Sequence, residues 1–371
     1  MDISTTLAGV KMATPFGVGS FSPDKFLYPA GTLEKTAELY MKFVKAGAGY
    51  LVMPSTVPDD KVHQPPEVPA KKYYIGRWLK TEYEGCEPGY FYCCPSTLEP
   101  PRWSNIKLQL ALREKLPENV PLVTSILCEG LDLEEWAEHA KLSAEAGADM
   151  LEINAGCPIG VAESGGVPEE DKRYGLMLGV EPKIVGMVTK AVVDAVKVPV
   201  GVKITAEAGF PTNLKVVEAV KNAGAKYVVA SHLGLTVAPP DIYNGGKGRW
   251  TAMDGMNPLG MVLGPWGRWM AYKTVTYYKM MFPDMDVKSG LGITVPEHVI
   301  ETMMLGARAS ESLTAIALKG FDLIRRVKKF LENYMKEMKY ETVDDFIGLG
   351  LKYITTADVA FAKARDFNYV A

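Results

Sequence analysis

Apolar residues in this 371-residue chain gather into eight short runs, at about Phe16–Ser20, Tyr50–Met53, Leu122–Ser125, Met150–Asn154, Val200–Ile204, Tyr227–Ala230, Asp286–Lys288 and Ala309–Leu313. Between them apolar positions recur every three to four residues, which predicts helices over Leu33–Lys45, Leu133–Glu145, Pro182–Val196, Leu214–Asn222, Gly267–Met281 and Pro296–Leu305. Runs that do not alternate with polar residues are covered on both faces, as parallel strands flanked by helices are. A small motif recurs at the joints: Ala46-Gly47-Ala48, Ala146-Gly147-Ala148, Ala223-Gly224-Ala225 and Leu305-Gly306-Ala307. Each follows an amphipathic stretch and precedes a strand-like run, so each glycine reads as the left-handed residue that ends a helix and turns the chain into the next strand.

Eight strands alternating with helices predict an α/β fold, a (β/α)8 TIM barrel with long βα-loop insertions and a C-terminal helical extension. A doubly wound sheet would need a glycine fingerprint straight after an early strand and an acidic residue at the end of the next. The chain has no such fingerprint. Two long interruptions, at about 54–102 and 231–266, follow the second and sixth strands. Loops of that length inside a compact domain are usually functional, and both leave carboxyl ends of strands, where barrel enzymes keep their sites. The barrel with its insertions is assigned to residues 1–320 and the helical extension packed on it to 321–371.

Charge changes the picture by exclusion. With 41 basic against 44 acidic residues, the chain has no basic field for nucleic acid. The N-terminus lacks a basic and apolar leader pattern, and no apolar run approaches the roughly 18 residues of a membrane span, so a cytoplasmic protein is expected. Five cysteines (Cys86, Cys93, Cys94, Cys128 and Cys157) without paired spacing indicate neither a disulfide framework nor a metal or iron–sulfur site.

The chemistry-bearing residues sit at strand ends. Asn154 closes the fourth run and is followed by Ala155, Gly156, Cys157 and Pro158, a turn that brings an amide and a thiol to the barrel mouth. Ile159–Leu178, with its glycines and acidic residues, could cover them as a lid. A lone cysteine is as often a small buried hydrophobe. Lys203 lies in an apolar run and must aim its ammonium at something anionic or at solvent on the rim. His232 holds the corresponding place on the sixth strand, where it could bond a substrate oxygen or be a plain satisfied histidine. Ser289-Gly290-Leu291-Gly292-Ile293 and Leu313-Thr314-Ala315 follow the seventh and eighth strands, the loops that often bind phosphate in barrels through backbone N–H groups.

Taken together, these segments resemble the FMN-dependent dihydroorotate and dihydropyrimidine dehydrogenases, most of all the FMN barrel domain of the latter. The resemblance is carried by Asp2-Ile3-Ser4, Leu7–Lys11 and Pro15–Ser20, by Leu151–Pro158, which is similar to the family's Asn-x-Ser-Cys-Pro segment, and by Val202–Ile204, Gly290–Ile293, Thr314 and the tail around Met335–Ile354. It implies a barrel that holds FMN, with Gly19, Ser20 and Ser231 lining the flavin and Lys203 near its N1/O2 edge. Gly264, Gly290, Leu291, Gly292 and Thr314 would complete the cofactor site around the phosphate. It further implies Cys157 as the general acid or base facing one carbon of a substrate double bond while the flavin serves the other, with Asn154 and His232 beside it. A thiol serves there only if its ionisation and access suit.

All but one of the departures from the family pattern fall where the substrate is read. A second-strand lysine is replaced at Pro54, with Ser55 beside it; the asparagine after Cys-Pro is Ile159; the Asn-Thr pair ending the sixth strand is Ser231-His232; and the phosphate-loop Gly-Gly is Leu291-Gly292. Loss of buried hydrogen-bond partners discriminates against the substrate they served. The expected activity is therefore an FMN-dependent oxidoreductase adding or removing two hydrogens across an activated C–C bond of a small cyclic carbonyl or hydroxy-aromatic compound. The alternatives are a flavin-containing electron-transfer subunit of a dihydropyrimidine dehydrogenase-type complex and a flavin-free lyase or isomerase of a phosphorylated metabolite. A separate electron-donor or acceptor protein and a homo-oligomeric state are the expected associations.

Overall fold

The four glycine joints adopt one cap in the computed structural model. Gly47, Gly147, Gly224 and Gly306 all have left-handed φ, between 95° and 109°. In each, the glycine N–H and the next N–H bond back to the last helical turn, as Gly47 N–H to Val44 O and Ala48 N–H to Phe43 O do. That double bond is the Schellman motif, which a residue with a Cβ makes only under strain. The structure describes residues 1–20, 32–58, 77–81, 89–93, 102–157, 175–232, 235–237, 239–248, 256 and 259–363.

Eight parallel strands close on themselves in chain order: β1 (Phe16–Val18), β2 (Leu51–Val52), β3 (Leu122–Ile126), β4 (Met150–Ala155), β5 (Val200–Thr205), β6 (Tyr227–His232), β7 (Asp286–Ser289) and β8 (Ala309–Ser312). Around them run α1 (Leu33–Ala46), α2 (Arg102–Arg113), α3 (Leu133–Glu145), α4 (Pro182–Ala195), α5 (Thr212–Asn222), α6 (Arg268–Met281) and α7 (Pro296–Met304). The expected (β/α)8 barrel is the observed fold. A further helix, α8 (Asp322–Met338), turns Leu323, Ile324, Val327, Leu331 and Met335 inward against α7, α1 and β1, the eighth place in the ring.

Two features escape the apolar pattern. Helix α2 buries Asn105 and Gln109 beside Leu108 and Leu112, so half of its inner face is polar and its period is hidden. Those amides have work to do: Asn105 donates to Pro54 O at 3.0 Å, and Gln109 to Ser143 O at 3.2 Å. The two long interruptions also combine. Their strands form one four-stranded antiparallel sheet in the order Leu235–Val237, Leu259–Leu263, Gly89–Cys93, Arg77–Thr81.

The barrel floor is set by steric fit. The N-terminal hairpin (Thr5–Leu7 with Val10–Met12) places Leu7 and Met12 among Tyr50, Val52, Val123, Met150, Tyr227 and Val229, so it plugs the amino end. Each buried plug residue is worth roughly 2 kcal/mol. Tyr50 and Tyr227 reach across the interior into space left by glycines. A Cβ on Gly17 would lie 2.4 Å from the Tyr50 ring, and one on Gly201 would lie 2.2 Å from the Tyr227 ring. Gly201→Ala is expected to destabilise the fold by about 1–3 kcal/mol through overpacking, read as a lowered urea midpoint with an unchanged slope.

Candidate active site

The rim at the carboxyl ends of the strands is organised by Asn154, the fifth residue of β4. Its Oδ1 accepts the N–H of Gly156 at 3.3 Å and of Cys157 at 3.1 Å, which bends the chain sharply after the strand. Because backbone donors fix which end of the amide is oxygen, Nδ2 must point the other way. It donates to Ser55 Oγ at 2.8 Å, and Ser55 Oγ lies 2.8 Å from Ser125 Oγ. A buried polar chain thus links the ends of β2, β3 and β4 and delivers half-buried Cys157 to the rim. Among the described residues the second amide hydrogen of Asn154 has no acceptor.

Lys203 pairs in register with Asn154 on the adjoining strand β5. It is 9% exposed and has no hydrogen-bond or ion-pair partner among the described residues. A nearly buried ammonium is costly without an electron-rich group to face, and the Glu152 carboxyl one layer below feels its charge. Gly19 and Gly290 lie at the ends of β1 and β7, on either side of Glu311 of β8. Ser20 Oγ donates to Met53 O at 2.9 Å. The backbone of Ser231 and His232 completes β6, with His232 opposite Thr205. Their side chains, and the whole of 158–174, lie outside the described residues.

On the far side of the rim the residues expected around a phosphate come together. Gly292 has φ +75°, and a Cβ there would lie 2.2 Å from Arg268 N, so only glycine lets this loop meet the start of α6. Leu291 is buried against Gly267 and Ala271. Gly264, also at positive φ, leads into the short turn that starts α6, and buried Thr314 opens the helix after β8. His298, which the sequence pattern did not single out, stands behind this loop. Its Nε2 lies 3.2 Å from Arg268 Nη1 and its Nδ1 lies 3.1 Å from Gly292 O. Arginine only donates, so Nε2 accepts.

Comparison with known proteins places this geometry. A family model described as dihydrouridine synthase matches residues 111–231. The catalytic subunit of dihydroorotate dehydrogenase B (NAD(+)) from Thermococcus kodakarensis is 31% identical over 69% of this chain and 76% of its own. The chain belongs to the dihydroorotate dehydrogenase family.

Other relatives agree. The Pyrococcus abyssi protein of the same name is 28% identical over 94% of this chain and 99% of its own. Subunit PreA of the Escherichia coli NAD-dependent dihydropyrimidine dehydrogenase is 24% identical over 70% of this chain and 60% of its own. The Eimeria tenella dihydroorotate dehydrogenase in complex with ferulenol shares the fold, with a TM-score of 0.68 at 18% identity over 94% of this chain and 88% of that one. Membership makes this dihydroorotate dehydrogenase relative a flavin oxidoreductase with FMN as its cofactor, and the flavin-free reading falls away. Buried Lys203 and the glycine loop beside Arg268 fit an anionic, electron-rich cofactor. No helix among the described residues is long and apolar enough to cross a membrane.

One titrating group braces the rim. His139 of α3 is buried between Thr56 Oγ1, 3.0 Å from Nε2, and Cys128 Sγ, 3.4 Å from Nδ1. Burial, aided by the charge of Arg102, pushes its pKa from 6.5 down to about 3, and burial pushes the Cys128 thiol up. Between those two values the unfolded chain binds a proton that the folded chain refuses. The contribution of His139 is therefore complete above pH 6.5 and is lost as pH falls toward about 3. Urea unfolding from pH 7 to pH 5 is expected to show a loss approaching about 1.4 kcal/mol per pH unit from this group, and His139→Gln is expected to flatten that slope.

Proposed function

We propose that the protein is an FMN-dependent oxidoreductase of CH–CH bonds in which Cys157 moves the proton. The observation that carries this reading is the Asn154 turn, which fixes Cys157 at the rim three residues beyond the strand partner of Lys203. Bound FMN supplies two-electron redox chemistry. Lys203 would hold the electron-rich edge of the ring, with Gly19, Ser20 and Ser231 along it. Gly264, Gly290, Leu291, Gly292 and Thr314 would hold the phosphate end, where Gly292 permits close backbone approach.

Adding or removing two hydrogens beside a carbonyl needs a positioned acid or base besides the redox carrier. Cys157 gives or takes that proton at Sγ. Asn154 keeps the thiol in place through its Oδ1 and offers its remaining N–H to the substrate, and His232 is the second candidate to bond a substrate oxygen. The substrate we infer is a small cyclic carbonyl or hydroxy-aromatic compound other than dihydroorotate or uracil. Support comes from Pro54, Ile159 and Ser231-His232, where the resemblance expects pyrimidine-reading lysine and amides. Ser55 is already committed to Asn154 and Ser125, so it does not restore that reading. The relatives are named as subunits, which supports a separate redox protein as electron partner.

Cys157→Ala is expected to keep FMN and to slow turnover by about 10²–10⁴-fold. Substrate is sought by anaerobic titration of cyclic enones, diketones and polyhydroxylated aromatics against the flavin spectrum. Loss of flavin from Cys157→Ala, or undiminished turnover, counts against the role given to the thiol. Gly292→Val is expected to weaken FMN binding at least tenfold by equilibrium titration, because its Cβ would displace the start of α6.

A further inference from the structure

Three ionisable side chains lie inside the barrel, one layer below the rim and on the faces of β4, β7 and β8 that carry Asn154 and Gly290 two residues later. Lys288 donates to Glu152 Oε1 and, at 2.6 Å, to Glu311 Oε2. All three are buried, Lys288 and Glu152 almost completely. The Tyr227 hydroxyl lies 3.2 Å from Glu152 Oε1, and the Tyr50 ring faces the Lys288 ammonium at 5.3 Å. Burial and the nearby carboxylates push both phenols well up, so neither tyrosine adds a charge. Two carboxyls share one ammonium, and burial pushes the Glu152 carboxyl above its usual range against the pull of Lys288. The charge of Lys203, one layer higher, reaches Glu152.

The arrangement is expensive as a structural device. A glutamine at 311 could accept the same hydrogen bond from Lys288 without burying a second negative charge, and buried ion clusters seldom repay their desolvation. Glu152 Oε2 is buried with no partner, so the cluster is not optimised for satisfaction. Its direction is informative. Glu311 Oε1 lies 3.3 Å from where a Cβ on Gly290 would sit, and Glu311 Cδ lies 3.6 Å from the corresponding point on Gly19. The carboxylate therefore underlies the two glycines at the floor of the cofactor site.

We propose that Glu311, clamped by Lys288 and backed by Glu152, is a charge that lowers the reduction potential of bound FMN. The inference rests on the reading that the flavin lies over Gly19 and Gly290. Electrons arriving on the cofactor bring negative charge, and a carboxylate beneath a water-poor site opposes it. A flavin held at low potential is a strong donor, which biases the enzyme toward reducing its cyclic substrate.

The test is the two-electron midpoint potential of the FMN-loaded protein at pH 8, measured by equilibration with indicator dyes. Glu311→Gln is expected to favour reduction by at least tenfold in equilibrium constant, about 30 mV. Glu311→Asp keeps the charge and is expected to stay near the wild-type potential, which a merely structural role would not distinguish. If Glu311→Gln fails to fold, Glu152→Gln removes a charge from the same cluster and is expected to shift the potential in the same direction. FMN bound at an unmoved potential in the neutralised variant overturns this inference alone. A wild-type chain that binds no FMN takes the reading of the site down with it.

Discussion

Closing eight parallel strands on themselves leaves no free edge, and it forces every strand to end on one rim. Each βα unit contributes one strand end and one loop to that rim, so residues far apart in the chain become neighbours without any local signal. The polar chain from Ser125 through Ser55 to Asn154 depends on this closure, since it joins the ends of three successive strands. So does the placement of Lys203 beside Asn154, which strand pairing alone provides. The N-terminal hairpin seals the opposite, amino end of the barrel.

Inside the barrel, packing and charge are coupled. Gly17 and Gly201 give up their side chains so that Tyr50 and Tyr227 can cross the interior. The tyrosines then flank a layer in which apolar filling is replaced by Lys288, Glu152 and Glu311. A barrel filled only with branched aliphatic residues would be cheaper to fold. Placing ions directly under the rim exchanges part of that stability for an electric field at the rim. The rim is braced from outside by groups kept uncharged or fixed, with His139 held neutral under the second and third strand ends and His298 tying Arg268 to the glycine loop.

Much of this was legible in the chain because it is local. Short, mostly apolar runs marked six of the eight strands, and the Gly-Ala joints marked four helix ends that all proved left-handed. The position of Asn154 and Cys157 at the end of β4 followed from counting along that run, whereas β5 runs on two residues past Lys203. Helix α2 was illegible because Asn105 and Gln109 spend their polarity on buried carbonyls, which removes the apolar stripe a periodicity needs. The four-stranded sheet was illegible because its central pairing joins Gly89–Cys93 to Leu259–Leu263 across the length of most of the barrel.

The sequence by itself determined the βα alternation, the barrel and the family, since hydrophobic period, helix caps and short motifs are written in neighbouring residues. Tertiary structure alone decided what the side chains at those positions do. Asn154 proved to spend its oxygen on its own turn and one of its hydrogens on Ser55, which a motif cannot reveal. Lys288 met Glu152 across 136 residues, and Glu311 came to lie beneath Gly19 and Gly290. Hydrogen bonds and ion pairs depend on distances of a few ångströms, and only closure of the barrel sets those distances.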